Sequence, residues 1–167
     1  MRLVRRATFL VALPLAAILS SCEGKEQPAP AGGMTIGHLF RDSTSGLMLD
    51  LPANWRGRYH VAEGVTRPAE GLRRELALRF VRMDSSEAAQ APMLVAMVFD
   101  KGAWTALPSD SARSEFGERI AEDATHTVVV RRAGENPFAT GTTDALAYDS
   151  LMMALFSRPL RATLRAP

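Results

Sequence analysis

Apolar positions alternate with polar ones along most of this chain, and only near its end do they adopt helical spacing. Ile36, His38 and Phe40 alternate with Gly37, Leu39 and Arg41. After Asp42-Ser43-Thr44-Ser45-Gly46, Leu47, Leu49 and Leu51 alternate with Met48 and Asp50. A period of two on both sides of a turn-forming stretch predicts a β-hairpin with one strongly apolar face. Pro52 ends the second strand, since it has no N–H to offer a ladder, and Trp55 is expected to fold back over the core. Tyr59, Val61 and Glu63 predict a short strand, and residues 64–74 a loop holding Gly64, Pro68 and Gly71. Leu76, Leu78 and Phe80 alternate with Glu75, Ala77, Arg79 and Val81, which predicts a strand with one wet face.

Ser85 to Ala91 reads as a polar connection. Pro92 then opens Met93 to Phe99, an unbroken apolar run that fits a central strand covered on both faces and ends at Asp100-Lys101-Gly102. Trp104 and Leu107 suggest a short helix before Pro108. A second hairpin is predicted over 117–132, with β-branched Val128, Val129 and Val130 in its second half; a helix across 109–121 is the alternative for its first half. Gly134 to Phe138 reads as a turn. Thr143 is placed to cap a helix from 144 to about 157, on which Leu146 is apolar and Tyr148, Leu151, Met152, Leu155 and Phe156 recur at helical spacing. Pro159 breaks or restarts that helix, and Leu160 and Leu164 predict a last short element on the same core. Together these elements specify an α+β fold: an antiparallel sheet with a long C-terminal helix packed on one face.

The first residues follow another logic. Arg2, Arg5 and Arg6 precede thirteen uncharged residues, Ala7 to Leu19. A membrane span needs about 20 apolar residues, so this run fits the apolar region of a secretory signal over residues 1–21. Leu19-Ser20-Ser21-Cys22 contains the one cysteine in the chain. The four residues resemble the lipobox of bacterial lipoproteins. That resemblance implies cleavage before Cys22, diacylation of its thiol and a further acyl chain, such as palmitate, on the new amino terminus. More than one chain is needed because a single acyl chain holds a protein only reversibly. The other reading is an ordinary secretory signal that leaves Cys22 a free thiol, a poor fit to an oxidising compartment. Residues 22–34 then form a linker rich in Gly, Pro and polar residues, and residues 35–167 a single globular domain. Glu23, where lipoproteins retained at the inner membrane often carry Asp, points to the periplasmic face of the outer membrane if the cell is Gram-negative.

Charge changes meaning once the signal is set aside. The whole chain carries 20 basic and 18 acidic residues; without residues 1–21, which hold three arginines and no acid, 17 basic residues face the same 18 acids. The near balance gives no case for nucleic acid, which needs a concentrated basic surface. With no second cysteine the domain has no disulfide, but its length suffices for a core without staples.

Gly46-Leu47, Leu49, Leu51-Pro52 and Trp55 resemble the opening of PsbP-like and related uncharacterised secreted bacterial domains. The apolar strand running into Asp100-Lys101 with Trp104, and Asn136-Pro137-Phe138 before the last helix, are similar to the latter group. The resemblance implies an open antiparallel sheet with flanking helices. It brings no agreed activity and no catalytic residues.

Candidate chemistry is sparse. His38, His60 and His126 stand at none of the two- to five-residue spacings common in zinc sites, and no Gly-x-Ser-x-Gly elbow, phosphate loop or dinucleotide fingerprint occurs. Asp42, Thr44 and Gly46 begin like a calcium loop without its later acids. Met93 and Met97 share a strand face, where core filling explains them. Trp55, Tyr59 and Trp104 are candidates for a binding surface, set against the ordinary need of a core for aromatics. Arg56, Arg58, Arg67, Arg73 and Arg74 are close in sequence and could form a solvated face or contact an anionic lipid or glycan. No cofactor or metal is expected, and no catalytic role. The sequence reads as a membrane-anchored envelope lipoprotein that binds a partner, such as an envelope protein, or supports a complex. The alternative is a carrier or sensor of a small apolar ligand held between sheet and helix.

Overall fold

The computed structural model of the chain describes residues 37–64, 68–83 and 88–165. All belong to one compact unit, Met34–Pro167. Cys22, the signal and the linker lie outside the described residues, as does Ile36.

Two antiparallel sheets form where one was expected. The smaller has the order β1-β2-β8, from β1 (His38–Arg41), β2 (Leu47–Leu51) and β8 (Arg161–Leu164). The larger has the order β3-β4-β5-β7-β6, from β3 (Tyr59–Glu63), β4 (Leu72–Val81), β5 (Ala88–Asp100), β7 (His126–Arg132) and β6 (Glu118–Glu122). The predicted hairpins are present: Phe40 pairs with Leu49, and Arg119 with Val129. A 3-10 turn, Ala53–Trp55, follows Pro52. Among the described residues there are also three α-helices: α1 (Lys101–Ala106), α2 (Asp110–Ser114) and α3 (Thr143–Phe156).

The alternation along β4, β5 and β7 divides the interior in two. Leu76, Leu78 and Phe80 of β4, Leu94, Ala96 and Val98 of β5, and Val128 and Val130 of β7 face one way. There they meet Leu47, Leu49 and Leu51 of the small sheet and Tyr148, Leu151, Met152 and Leu155 of α3. The small sheet and α3 therefore cover the same face of the large sheet. On its other face Ala77, Val95, Met97, Phe99 and Val129 form a second core with Trp104 of α1 and the half-buried Phe116.

That second core corrects the expectation of a wet face on β4. Glu75 and Ala77, read as its polar side, are only 3% and 7% exposed. The aromatic cover arrives from later in the chain: Phe99 lies 5.2 Å from both Trp104 and Phe116, ring centre to ring centre. The central strand β5 is covered on both faces, as its apolar run requires. It begins at Ala88 rather than at Pro92, and β4 begins at Leu72 rather than after residue 74. Pro92 lies inside β5 opposite Arg79, where the β4–β5 register is irregular. A bulge is the place in a ladder where a missing N–H costs least. The predicted polar connection thus shrinks, and residues 84–87 lie outside the described residues.

Helix α3 starts one residue earlier than expected. Thr142, not Thr143, is the cap, its hydroxyl accepting from the Ala145 N–H at 3.1 Å. The alternative helix over 109–121 is realised only as α2, after which the chain enters β6.

Candidate functional site

The three aromatic candidates do not share a surface. Trp55 is fully buried in the large core, where its indole N–H donates to the Leu151 carbonyl of α3 at 3.0 Å. Tyr59 on β3 stands 6.1 Å from it, ring centre to ring centre, and its hydroxyl lies 2.9 Å from His38 Nε2. Burial raises the Tyr59 phenol above its ordinary pKa. Trp104 lies in the second core, on the opposite face of the large sheet. The signal for this separation was present in the sequence, since Trp55 follows the first hairpin and Trp104 the central strand, but only the sheet between them makes the two environments distinct.

The sequence-local arginines also disperse. Arg73 pairs with Asp100 at 2.6 Å, while its neighbour Arg74 reaches Asp42 at 3.1 Å and Glu63 at 2.7 Å. Arg58 lies against the Met83 sulfur, Arg56 is exposed, and Arg67 lies outside the described residues. Asp42, in the stretch read first as a hairpin turn, is committed to folding. It accepts from the Ser45 N–H at 3.0 Å and the Ser45 hydroxyl at 2.5 Å, besides Arg74. Burial alone would raise its pKa; the bonds from Ser45 and Arg74 outweigh burial and hold it below the usual carboxylate value.

The space between the large sheet and α3 is occupied by core side chains. Tyr148 packs edge-on against Phe80 and Phe138, each 5.8 Å away between ring centres. Asp144, buried at the start of α3, accepts from the Met83 N–H at 2.7 Å and from Arg82 at 3.0 Å. Among the described residues no three His, Cys, Asp or Glu side chains stand together as a metal-holding group.

What remains open is the outer side of α3. Leu146, Met153 and Phe156 are 65%, 73% and 60% exposed. At 100° per residue these positions fall within about 80° of one another, a single stripe. Asp149 lies within it, fixed by the Asn136 side-chain amide at 2.8 Å. Beside the stripe a shallow cleft of about 340 Å³ runs between Met153 and Phe156 on one side and Ala133, Gly134 and Asn136 on the other. The Arg132 guanidinium sits 5.7 Å from the centre of the Phe156 ring and pairs with Glu118 at 2.6 Å. The apolar cleft wall, ringed by fixed polar groups, can take up an apolar side chain from outside.

Sequence reasoning assigned Phe156 to the core and passed over the exposure of Leu146 and Met153. The available clue was breadth: apolar residues occur around more of the α3 circumference than one core-facing stripe needs.

No protein-family model, curated protein or solved structure matches this chain.

Proposed function

We propose that this chain is a lipid-anchored protein of the cell envelope, and that its folded domain holds a protein partner on the outer face of α3. The carrying observation is the stripe of Leu146, Met153 and Phe156, large apolar side chains left more than half exposed on one helix face. Large apolar side chains grouped on one helix face support an interaction site, whereas single exposed apolar residues do not. Burying each side chain would contribute about 1.5–3 kcal/mol, enough for the centre of an interface with a polar rim. Asn136, Arg132 and Glu118 supply such a rim, and Asp149 within the stripe is held by Asn136. The proposed anchor at Cys22 keeps the domain at the extracytoplasmic side of a membrane, with the outer membrane favoured by Glu23.

The test is a photo-crosslinking residue placed at Met153 in cells, with one at the exposed Glu115, away from α3, for comparison. A discrete adduct from Met153 that disappears on adding Leu146→Ser and Phe156→Ser is the expected result. Adducts that are absent from Met153, or identical from Glu115, contradict the proposal.

A further inference from the structure

The fold collects arginines that the sequence keeps more than a hundred positions apart. In the small sheet Phe40, Leu49, Ala162 and Leu164 point into the core, so the alternate residues form its outer face. The register aligns Leu39, Asp50 and Arg161 in one row, and Arg41, Met48 and Thr163 in the next. Arg165, one step beyond β8, continues the alternation; its N–H donates to the Gly46 carbonyl at 3.0 Å and its side chain is exposed. Arg41 and Arg161 are exposed as well, and Leu39 is 44% exposed beside them. Asp50, the one acid in these rows, is already engaged by Arg158 at 3.4 Å. Arg41, Arg161 and Arg165 have no ion-pair partner among the described residues.

We infer that this face docks on anionic phospholipid headgroups of the membrane that holds the protein. Two observations select that occupant. Three uncompensated guanidiniums spread over a three-stranded, open sheet surface complement a plane of phosphates, to which guanidinium donates in fixed geometry. Among the described residues β1 is also the first element of the chain, so the face belongs to the described element nearest Cys22 in sequence. The inference rests on the anchor reading for its biological setting, though not for its chemistry. Leu39 adds an apolar contact at headgroup depth. Docking here leaves the stripe on α3 available to a partner.

The test uses the chain from Glu23 onward, which retains the whole compact unit Met34–Pro167 and cannot be acylated at Cys22. It is spun with vesicles containing about one-third phosphatidylglycerol, and with pure phosphatidylcholine vesicles, at about 0.1 M salt. Binding to the first and not the second is expected. Each arginine near such a surface raises partition about fivefold, so Arg41→Gln/Arg161→Gln/Arg165→Gln should lower it about a hundredfold. The corresponding triple lysine variant should retain most of the binding, which separates lost charge from lost fold; Arg56→Gln should change nothing. Raising salt to about 0.5 M, where the screening length falls from about 10 Å to about 4 Å, should release the protein. Equal binding to both vesicle types, no binding to the anionic ones, or a triple glutamine variant that binds like the parent overturns the inference. Detergent-phase partition of the full-length protein reads the anchor separately. If it stays aqueous while the Glu23 chain binds anionic vesicles, the anchor fails and the docking stands; the reverse pair leaves the anchor and removes the docking.

Discussion

Asp42 shows how a residue with a chemical look can be wholly occupied by structure. It closes the turn between β1 and β2 through Ser45 and ties the small sheet to β4 through Arg74. Its pKa is lowered in the fold, so the unfolded chain binds the proton more readily. The stabilisation is therefore complete above the ordinary carboxylate pKa, about 4, and is lost as pH falls through the lower folded value. Asp42→Asn should cost about 2 kcal/mol at neutral pH and flatten the acid limb of a stability–pH curve from denaturant titrations. Part of that limb should survive, because Asp100, through Arg73, and Asp123, through the Thr125 and His126 N–H groups, are lowered too. Gly46 in the same turn has φ of 69°, and a Cβ there would overlap the Arg165 carbonyl oxygen. Gly46→Ala should thus destabilise by more than about 1 kcal/mol, seen as a lower Tm. An unchanged Tm would mean that the turn is not held as described.

Helix α3 performs two tasks on two sides. Its inner side, with Tyr148, Leu151 and Leu155, closes the large core, and Trp55 is pinned to its backbone. Trp55→Ala should cost about 3–5 kcal/mol, whereas Met153→Ser, at an exposed position, should stay within about 0.5 kcal/mol. Equal losses by chemical denaturation would contradict the division of the helix into a core side and an open side. Strand identity was largely legible, because period-two alternation and Pro or Gly punctuation act locally: both hairpins and the central strand follow from them. The partition into two sheets was not. It depends on β8 returning from the end of the chain to pair with β2, while the second core depends on Trp104 and Phe116 folding back over β4 and β5. The site was less legible still. Trp55, Tyr59 and Trp104 draw attention as aromatics, yet their burial is decided by what packs over them. Exposure on α3 and the gathering of Arg41 with Arg161 and Arg165 exist only once the chain is folded.

At the scale of the whole molecule, the proposal gives each surface a distinct direction. In that proposal the outer face of the small sheet meets the bilayer and α3 meets a partner, and the near-neutral charge of residues 22–167 does not preclude a local group of arginines. The proposed anchor at Cys22 supplies the membrane setting in which both surfaces would act. The most direct measurement is intact-mass spectrometry of the protein extracted from cell membranes, beside Cys22→Ala. The account predicts a chain beginning at residue 22 whose mass exceeds the polypeptide by a diacylglyceryl group and a further acyl chain, with the added mass absent from the variant. A wild-type chain carrying an unmodified Cys22, or starting elsewhere, would contradict it.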